Sequence, residues 1–157
     1  MNINENLEIY MTMKILPLRK EDRPRWDVLA RGYKTFYNTP LPTADYDATW
    51  QRLMAGHDVF GVGAHVDGKL VGIAHYMFHT SAWSADACYL QDLFVDATAR
   101  GHGVGRALIE HVGKIAQERG CPRYYWLTQD NNIRARTLYD KVAHYKGFIR
   151  YDYPLAS

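Results

Sequence analysis

Three glycines stand within five residues in Arg100-Gly101-His102-Gly103-Val104-Gly105-Arg106, between a short apolar stretch and an amphipathic one. Glycine admits backbone conformations closed to other residues and lets a ligand approach the main chain. A helix opening at Val104 would aim unpaired N–H groups and its positive dipole end at an anion, which suits a pyrophosphate. The same glycines also serve a plain strand-to-helix turn that binds nothing, so the flanks decide. Gly105 is followed by Arg106-Ala107 rather than Lys and Ser or Thr, which excludes a Walker loop, and no dinucleotide GxGxxG fits.

The elements that must hold this turn can be read on either side. Residues 13 to 18 read as a first strand, and Asp22 and Pro24 start a helix with Trp26, Leu29, Tyr33 and Phe36 on one face. Tyr46, Trp50 and Leu53 mark a second helix that ends before Gly56, with Asp45 and Asp47 near its start, suited to the helix dipole or to gripping a cation. Residues 59 to 66 and 70 to 79 flank Asp67-Gly68, a hairpin signal. Residues 80 to 86 form a loop carrying Trp83, and 87 to 95 form a strand that runs into the glycine turn. A helix follows over 104 to 119, with Val104, Leu108, Val112 and Ile115 on one face, and stops at Gly120. A strand over 124 to 128 should lie parallel to 87 to 95, because a helix connects them. Asn131 or Asn132 can cap a last helix carrying Ala135, Leu138, Tyr139 and Val142, before a final strand over 148 to 153. The predicted fold class is α/β, with a mixed, mostly antiparallel sheet flanked by helices.

The whole chain has 157 residues, of which 47% are hydrophobic and 13% aromatic, enough for one domain core. Residues 1 to 12 read as a polar N-terminal tail and 13 to 157 as the domain. A net charge of +2 with scattered basic residues gives no reason to expect nucleic acid or a membrane surface as partner. Cys88 and Cys121 are far apart, and His57, His65, His75, His79, His111 and His144 show no metal-ligand spacing, so no metal is expected. No apolar run is long enough for a membrane span and no signal peptide is evident, which makes the cytoplasm the expected location.

Arg100, Gly103 and Gly105 reproduce the RxxGxG signature of the GNAT superfamily of acyl-CoA N-acyltransferases, preceded at the right distance by Leu90-Gln91-Asp92-Leu93-Phe94-Val95. Asn132, Ala135, Leu138 and Tyr139, then Gly147-Phe148, resemble that family's closing block, so the similarity spans about residues 13 to 153. Residues 75 to 95 are similar to the spermidine/spermine branch and to relatives that acetylate thialysine, histones or D-amino acids. In the polyamine enzymes an acid stands where this chain has Gln91 and another near Ser81. Their absence removes groups that would balance a polycation and disfavours a polyamine acceptor.

The resemblance implies an acetyl-CoA-dependent N-acetyltransferase, with acetyl-CoA as cosubstrate and a small-molecule primary amine as acceptor, working by direct attack. A protein or histone lysine acetyltransferase and a non-catalytic acyl-CoA-binding regulator are the alternatives. It places Gly101, His102, Gly103, Val104, Gly105 and Arg106 around the pyrophosphate, with Arg100 opening the loop and the pantetheine arm along the edge of Leu93, Phe94 and Val95. Asn132 would bond the arm or cap its helix, or do both. Tyr139 matches the tyrosine that protonates the departing thiolate, although a Tyr at this spacing can also be core. Asp92 is the candidate base. Successive strand residues face opposite ways, so Gln91 and Asp92 can share the cleft only through a bulge. Trp83, Tyr33, Tyr37 and Tyr76 are candidates for the acceptor pocket, and a homodimer is expected from the resemblance.

Overall fold

The computed structural model describes residues 12–156; the tail expected over residues 1 to 12 lies, but for Thr12, outside the described residues. The chain divides into two compact units, Met1–Trp126 and Leu127–Ser157.

The first unit is a five-stranded sheet in sequential order, β1 (Met13–Pro17), β2 (Phe60–Val66), β3 (Lys69–His79), β4 (Ala87–Val95) and β5 (Tyr124–Tyr125). Neighbours are antiparallel except β4 and β5, which run parallel, as a helical connection requires. The β2–β3 turn is tight because Asp67 and Gly68 both take positive φ, 50° and 81°, matching the twist of the flanking strands.

Helices α1 (Arg23–Phe36) and α2 (Thr43–Ala55) lie between β1 and β2 in the chain and bury Trp26, Leu29, Ala30, Tyr46, Trp50 and Leu53 in one cluster with Leu18, Leu70 and Ile73. Each large side chain buried this way stabilises the fold by roughly 1.5–3 kcal/mol. Strand alternation turns Gly72, beside Ile73, to the opposite face, where α3 (Val104–Glu118) packs. A Cβ on Gly72 would meet Val104 Cγ1 at 3.0 Å and Leu108 Cδ1 at 3.1 Å, so glycine here seats the first turn of α3 close on the sheet. Asp22 does not cap α1; its carboxylate accepts from the Arg19 N–H and lies 2.8 Å from His65 Nε2.

In the second unit α4 (Ile133–Val142) is capped by Asn132, as expected. The strand expected over 148 to 153 is not formed, and Phe148, Ile149, Tyr151 and Tyr153 are exposed. Alternating apolar residues satisfy the period of a strand, but a strand also needs a hydrogen-bonding neighbour. The strand expected over 124 to 128 is cut to two residues for the same reason, its pairing with β4 ending at Tyr89 and Tyr125.

Candidate functional site

Beyond Tyr89 no strand among the described residues continues the ladder on the β5 side of β4. The outward backbone groups of residues 90 to 95 therefore form an open strand edge, the kind an extended ligand can pair with. Leu93, Phe94 and Val95 are held from the other side by Ala74, Ile73 and Gly72 of β3.

The chain leaves β4 through Asp96, which is fastened three ways. Its N–H donates to the Val71 carbonyl at 2.8 Å, its carboxylate takes the Arg25 guanidinium at 2.8 Å, and it accepts from the Thr98 N–H. The hydrogen bonds from Arg25 and Thr98 outweigh burial and hold the Asp96 carboxyl below its ordinary value. Arg100 donates through Nε to the Val95 carbonyl at 3.0 Å and lies 5.4 Å over the Phe94 ring. It thereby ties the glycine turn to the end of β4.

Gly101 and Gly103 have φ of 81° and 78°, conformations in which a side chain is strained, and Gly103 is the residue before α3. The intrahelical ladder begins with the Ala107 N–H donating to Gly103, so the N–H groups of Val104, Gly105 and Arg106 point out of the first turn without an intrahelical acceptor. Open space surrounds both glycines, as a phosphate cradle requires. His102 is exposed, and Arg106 is exposed and paired with Glu110 at 2.7 Å, so the backbone carries this site.

On the α1 and α2 side of the sheet lies a pocket of about 320 Å³. Gln91 and Asp92 both line it. The register explains how: Tyr76 faces Leu90 and His75 faces Asp92, so Gln91 is an extra residue in β4 and forms a bulge. Asp92 Oδ2 lies 2.9 Å from His75 Nδ1, and Tyr33 lines the same pocket. Burial pushes the Asp92 carboxyl up, but the His75 hydrogen bond, together with the Tyr33 and Lys34 side chains, outweighs it and holds the group below its ordinary value. Burial, then the Asp92 charge, push the Tyr33 phenol well up, so it remains a donor.

Of the aromatics expected in the pocket, Tyr33 lines it, whereas Trp83, Tyr37 and Tyr76 do not. Trp83 is 97% exposed on its loop, and Tyr76 is buried against Phe60 and Phe78. Asp45 reaches the pocket, while Asp47 is 2.6 Å from Arg23. Lys34, Arg52 and Asp58 also line it and were not singled out from the sequence. Arg52 makes no ion pair or side-chain hydrogen bond among the described residues. Only the fold brings α1, α2 and β4 around one cavity, so no local pattern could have identified them.

In the second unit, Asn132 accepts from the Ala135 N–H at 3.4 Å and donates to Thr128 Oγ1 at 3.1 Å. Tyr139 is half-buried on α4.

A family model described as the acetyltransferase (GNAT) family matches residues 26–145. The chain is similar to the D-amino-acid N-acetyltransferase of Saccharomyces cerevisiae, at 35% identity over 131 residues that cover 81% of each chain. It is also similar to the thialysine N-epsilon-acetyltransferase of Bos taurus, at 36% identity over 70 residues, 45% of this chain and 41% of that one. Among solved structures, an aminoglycoside N-acetyltransferase in complex with a CoA bisubstrate analog aligns with a TM-score of 0.82 at 19% identity, over 93% of this chain and 99% of that one. At that identity the likeness establishes the fold, an α/β domain with a mixed five-stranded sheet.

Proposed function

Because the chain belongs to the acetyltransferase (GNAT) family and is an acetyl-CoA-dependent N-acetyltransferase, we propose that it acetylates the amino group of a small zwitterionic acceptor, an amino acid, by direct attack. The observation that carries this reading is the mixed charge of the pocket: the carboxylates of Asp92, Asp45 and Asp58 together with two cations, Lys34 and Arg52. A carboxylate attracts the ammonium end of an amino acid, and Lys34 and Arg52 attract its carboxylate. The similarity to enzymes named for D-amino acids and thialysine agrees with that class.

The open glycine turn and the first-turn N–H groups of α3 fit the pyrophosphate of acetyl-CoA, with Gly101, His102, Gly103, Val104, Gly105 and Arg106 around it and Arg100 bracing the turn. Leu93, Phe94 and Val95 offer their strand edge to the pantetheine arm, and Asn132, by the family motif it matches, is a further ligand of acetyl-CoA. Acetyl-CoA supplies the thioester. Asp92 orients the amine, which sheds its first proton to water. A nitrogen that has begun to bond to an acyl carbon is far more acidic than a free ammonium, so even a carboxylate of depressed pKa can take its second proton. Tyr139 supplies a proton to the leaving thiolate, as a phenol with an ordinary pKa of about 10 is able to do.

We further propose a homodimer, supported by the apolar side chains of Phe148, Tyr151, Tyr153 and Leu155, each 84–87% exposed. A cytoplasmic location is supported by the free thiols of Cys88 and Cys121. No helix among the described residues is long and apolar enough to cross a membrane.

The test is CoA release from acetyl-CoA with D- and L-amino acids, thialysine, polyamines, aminoglycosides and histone peptides. Amino acids should be turned over, and Arg52→Gln should raise KM for an amino acid more than for the corresponding amine lacking the carboxylate. Turnover of polyamines or peptides in preference to amino acids would overturn the acceptor assignment, and turnover of no amine would overturn the activity itself.

A further inference from the structure

In the pocket wall, Trp26, His75 and Asp92 form a hydrogen-bonded line. Trp26 Nε1 donates to His75 Nε2 at 2.9 Å, and His75 Nδ1 lies 2.9 Å from Asp92 Oδ2. An indole N–H can only donate, so His75 Nε2 must supply a lone pair. The single ring proton therefore stands on Nδ1 and is donated to Asp92. Protonating Nε2 would forfeit the indole bond where Trp26 is 1% and His75 5% exposed.

We propose that His75 is a positioning residue of the acceptor site, an imidazole whose tautomer is fixed by Trp26 so that its Nδ1–H holds the Asp92 carboxylate facing the incoming amine. This rests on the acetyltransferase reading above. The neutral ring adds no positive charge beside an ammonium. The line also ends at the indole, so a proton accepted by Asp92 leaves by the pocket and not through the core. The bulge at Gln91 is what sets Asp92 opposite His75. The other groups facing Asp92 are Tyr33 and Lys34 from α1, while Asp45 and Arg52 of α2 and Asp58 before β2 line the same pocket.

The wild-type protein labelled with ¹⁵N-histidine should show His75 protonated at Nδ1 and bare at Nε2. Trp26→Phe should release Nε2, seen as a mixed tautomer or a doubly protonated ring. His75→Leu should raise KM for the amine about tenfold, the worth of a hydrogen bond to a charged group, and leave KM for acetyl-CoA within about twofold. It should also move the ¹³C titration of the Asp92 carboxyl to higher pH. His75→Asn, whose amide can donate from the position of Nδ1, should restore most of the amine affinity.

A wild-type ring protonated at Nε2 overturns the proposal. So does a folded His75→Leu protein with unchanged amine KM and unchanged Asp92 titration. Should His75→Leu fail to fold, the wild-type tautomer and the response to Trp26→Phe decide. Both NMR readings are independent of turnover, so absence of any acetylated amine would count against the enzymatic reading while the tautomer still tests the role of His75.

Discussion

Gln91 and Asp92 are neighbours on one strand, yet both face the same pocket, because Gln91 is looped out between the Leu90–Tyr76 and Asp92–His75 pairs. In a regular strand one of the two would point to the α3 side of the sheet. The bulge delivers an amide and a carboxylate to one cavity and leaves the carboxylate facing His75. Acid–base and charge-orienting groups of this kind typically contribute a factor of about 10²–10⁴ in rate. Asp92→Asn is therefore expected to lower kcat for the amine at least about tenfold across the neutral and alkaline range, while the alkaline rise, which belongs to deprotonation of the amine, and KM for acetyl-CoA hold. Steady-state CoA release across pH checks this; an Asn variant that keeps the rate places the base elsewhere.

Tyr139→Phe isolates the proton donor. The substitution removes one oxygen from a half-buried ring on α4 and keeps the ring itself. Turnover is expected to fall at least about tenfold, the lower end of what a positioned acid supplies. A good leaving group should need that acid less, so the deficit should shrink with an acetyl donor whose thiol has a lower pKa. Equal rates for Phe and Tyr would remove Tyr139 from the mechanism.

The parts of this chain that follow from local chemistry were legible in the sequence. Residues 87 to 95 as a strand, the start of a helix at Val104, the Asp67-Gly68 hairpin and the Asn132 cap each depend on a few adjacent residues, and each stands where expected. The glycine turn belongs to the same group, since Gly101 and Gly103 both adopt the positive φ that only their residue type takes without strain. What pairs with what was not legible. His75 and Asp92 lie 17 positions apart, and their contact depends on the β3–β4 register and a bulge that no periodicity announces. Arg52 and Lys34 enter the pocket from different helices for a similar reason. The segment from 148 to 153 shows the converse limit: its alternation reads as a strand, but alternation specifies a face and not a partner.

Acid stability should reflect the two depressed carboxylates. Both Asp92 and Asp96 bind their protons less readily folded than unfolded. Their contribution is therefore fully present above the unfolded carboxylate pKa of about 3.9 and is lost as pH falls through their lower folded values. Asp96→Asn keeps the Thr98 contact but loses the charge that pairs with Arg25 at 2.8 Å, a partly exposed ion pair worth at most about 1 kcal/mol. Urea unfolding at pH 7 should show a small loss of stability in this variant, and the gap to wild type should close below about pH 4. A gap that does not narrow at all as the pH is lowered through the acid range would mean that Asn disturbs the turn itself and not the charge.

The cradle makes the most direct claim on acetyl-CoA. Gly103, at φ 78°, immediately precedes α3, and open space surrounds the position where its Cβ would be. Alanine there meets no neighbour in the folded chain, so its cost is conformational, about 1–2 kcal/mol for an L residue held in the left-handed region. The chain can relieve that strain by rotating the turn, which would swing the N–H groups of residues 104 to 106 off the phosphate position. Gly103→Ala is thus expected to raise KM for acetyl-CoA about tenfold or more, with the amine KM little changed. Gly56, also in the left-handed region at φ 62° but at the end of α2, provides the control. Gly56→Ala should cost comparable stability by thermal unfolding and leave KM for acetyl-CoA unaltered. If the two variants weaken acetyl-CoA binding equally, the effect comes from lost stability and the turn at Gly103 has no special part in holding the cosubstrate.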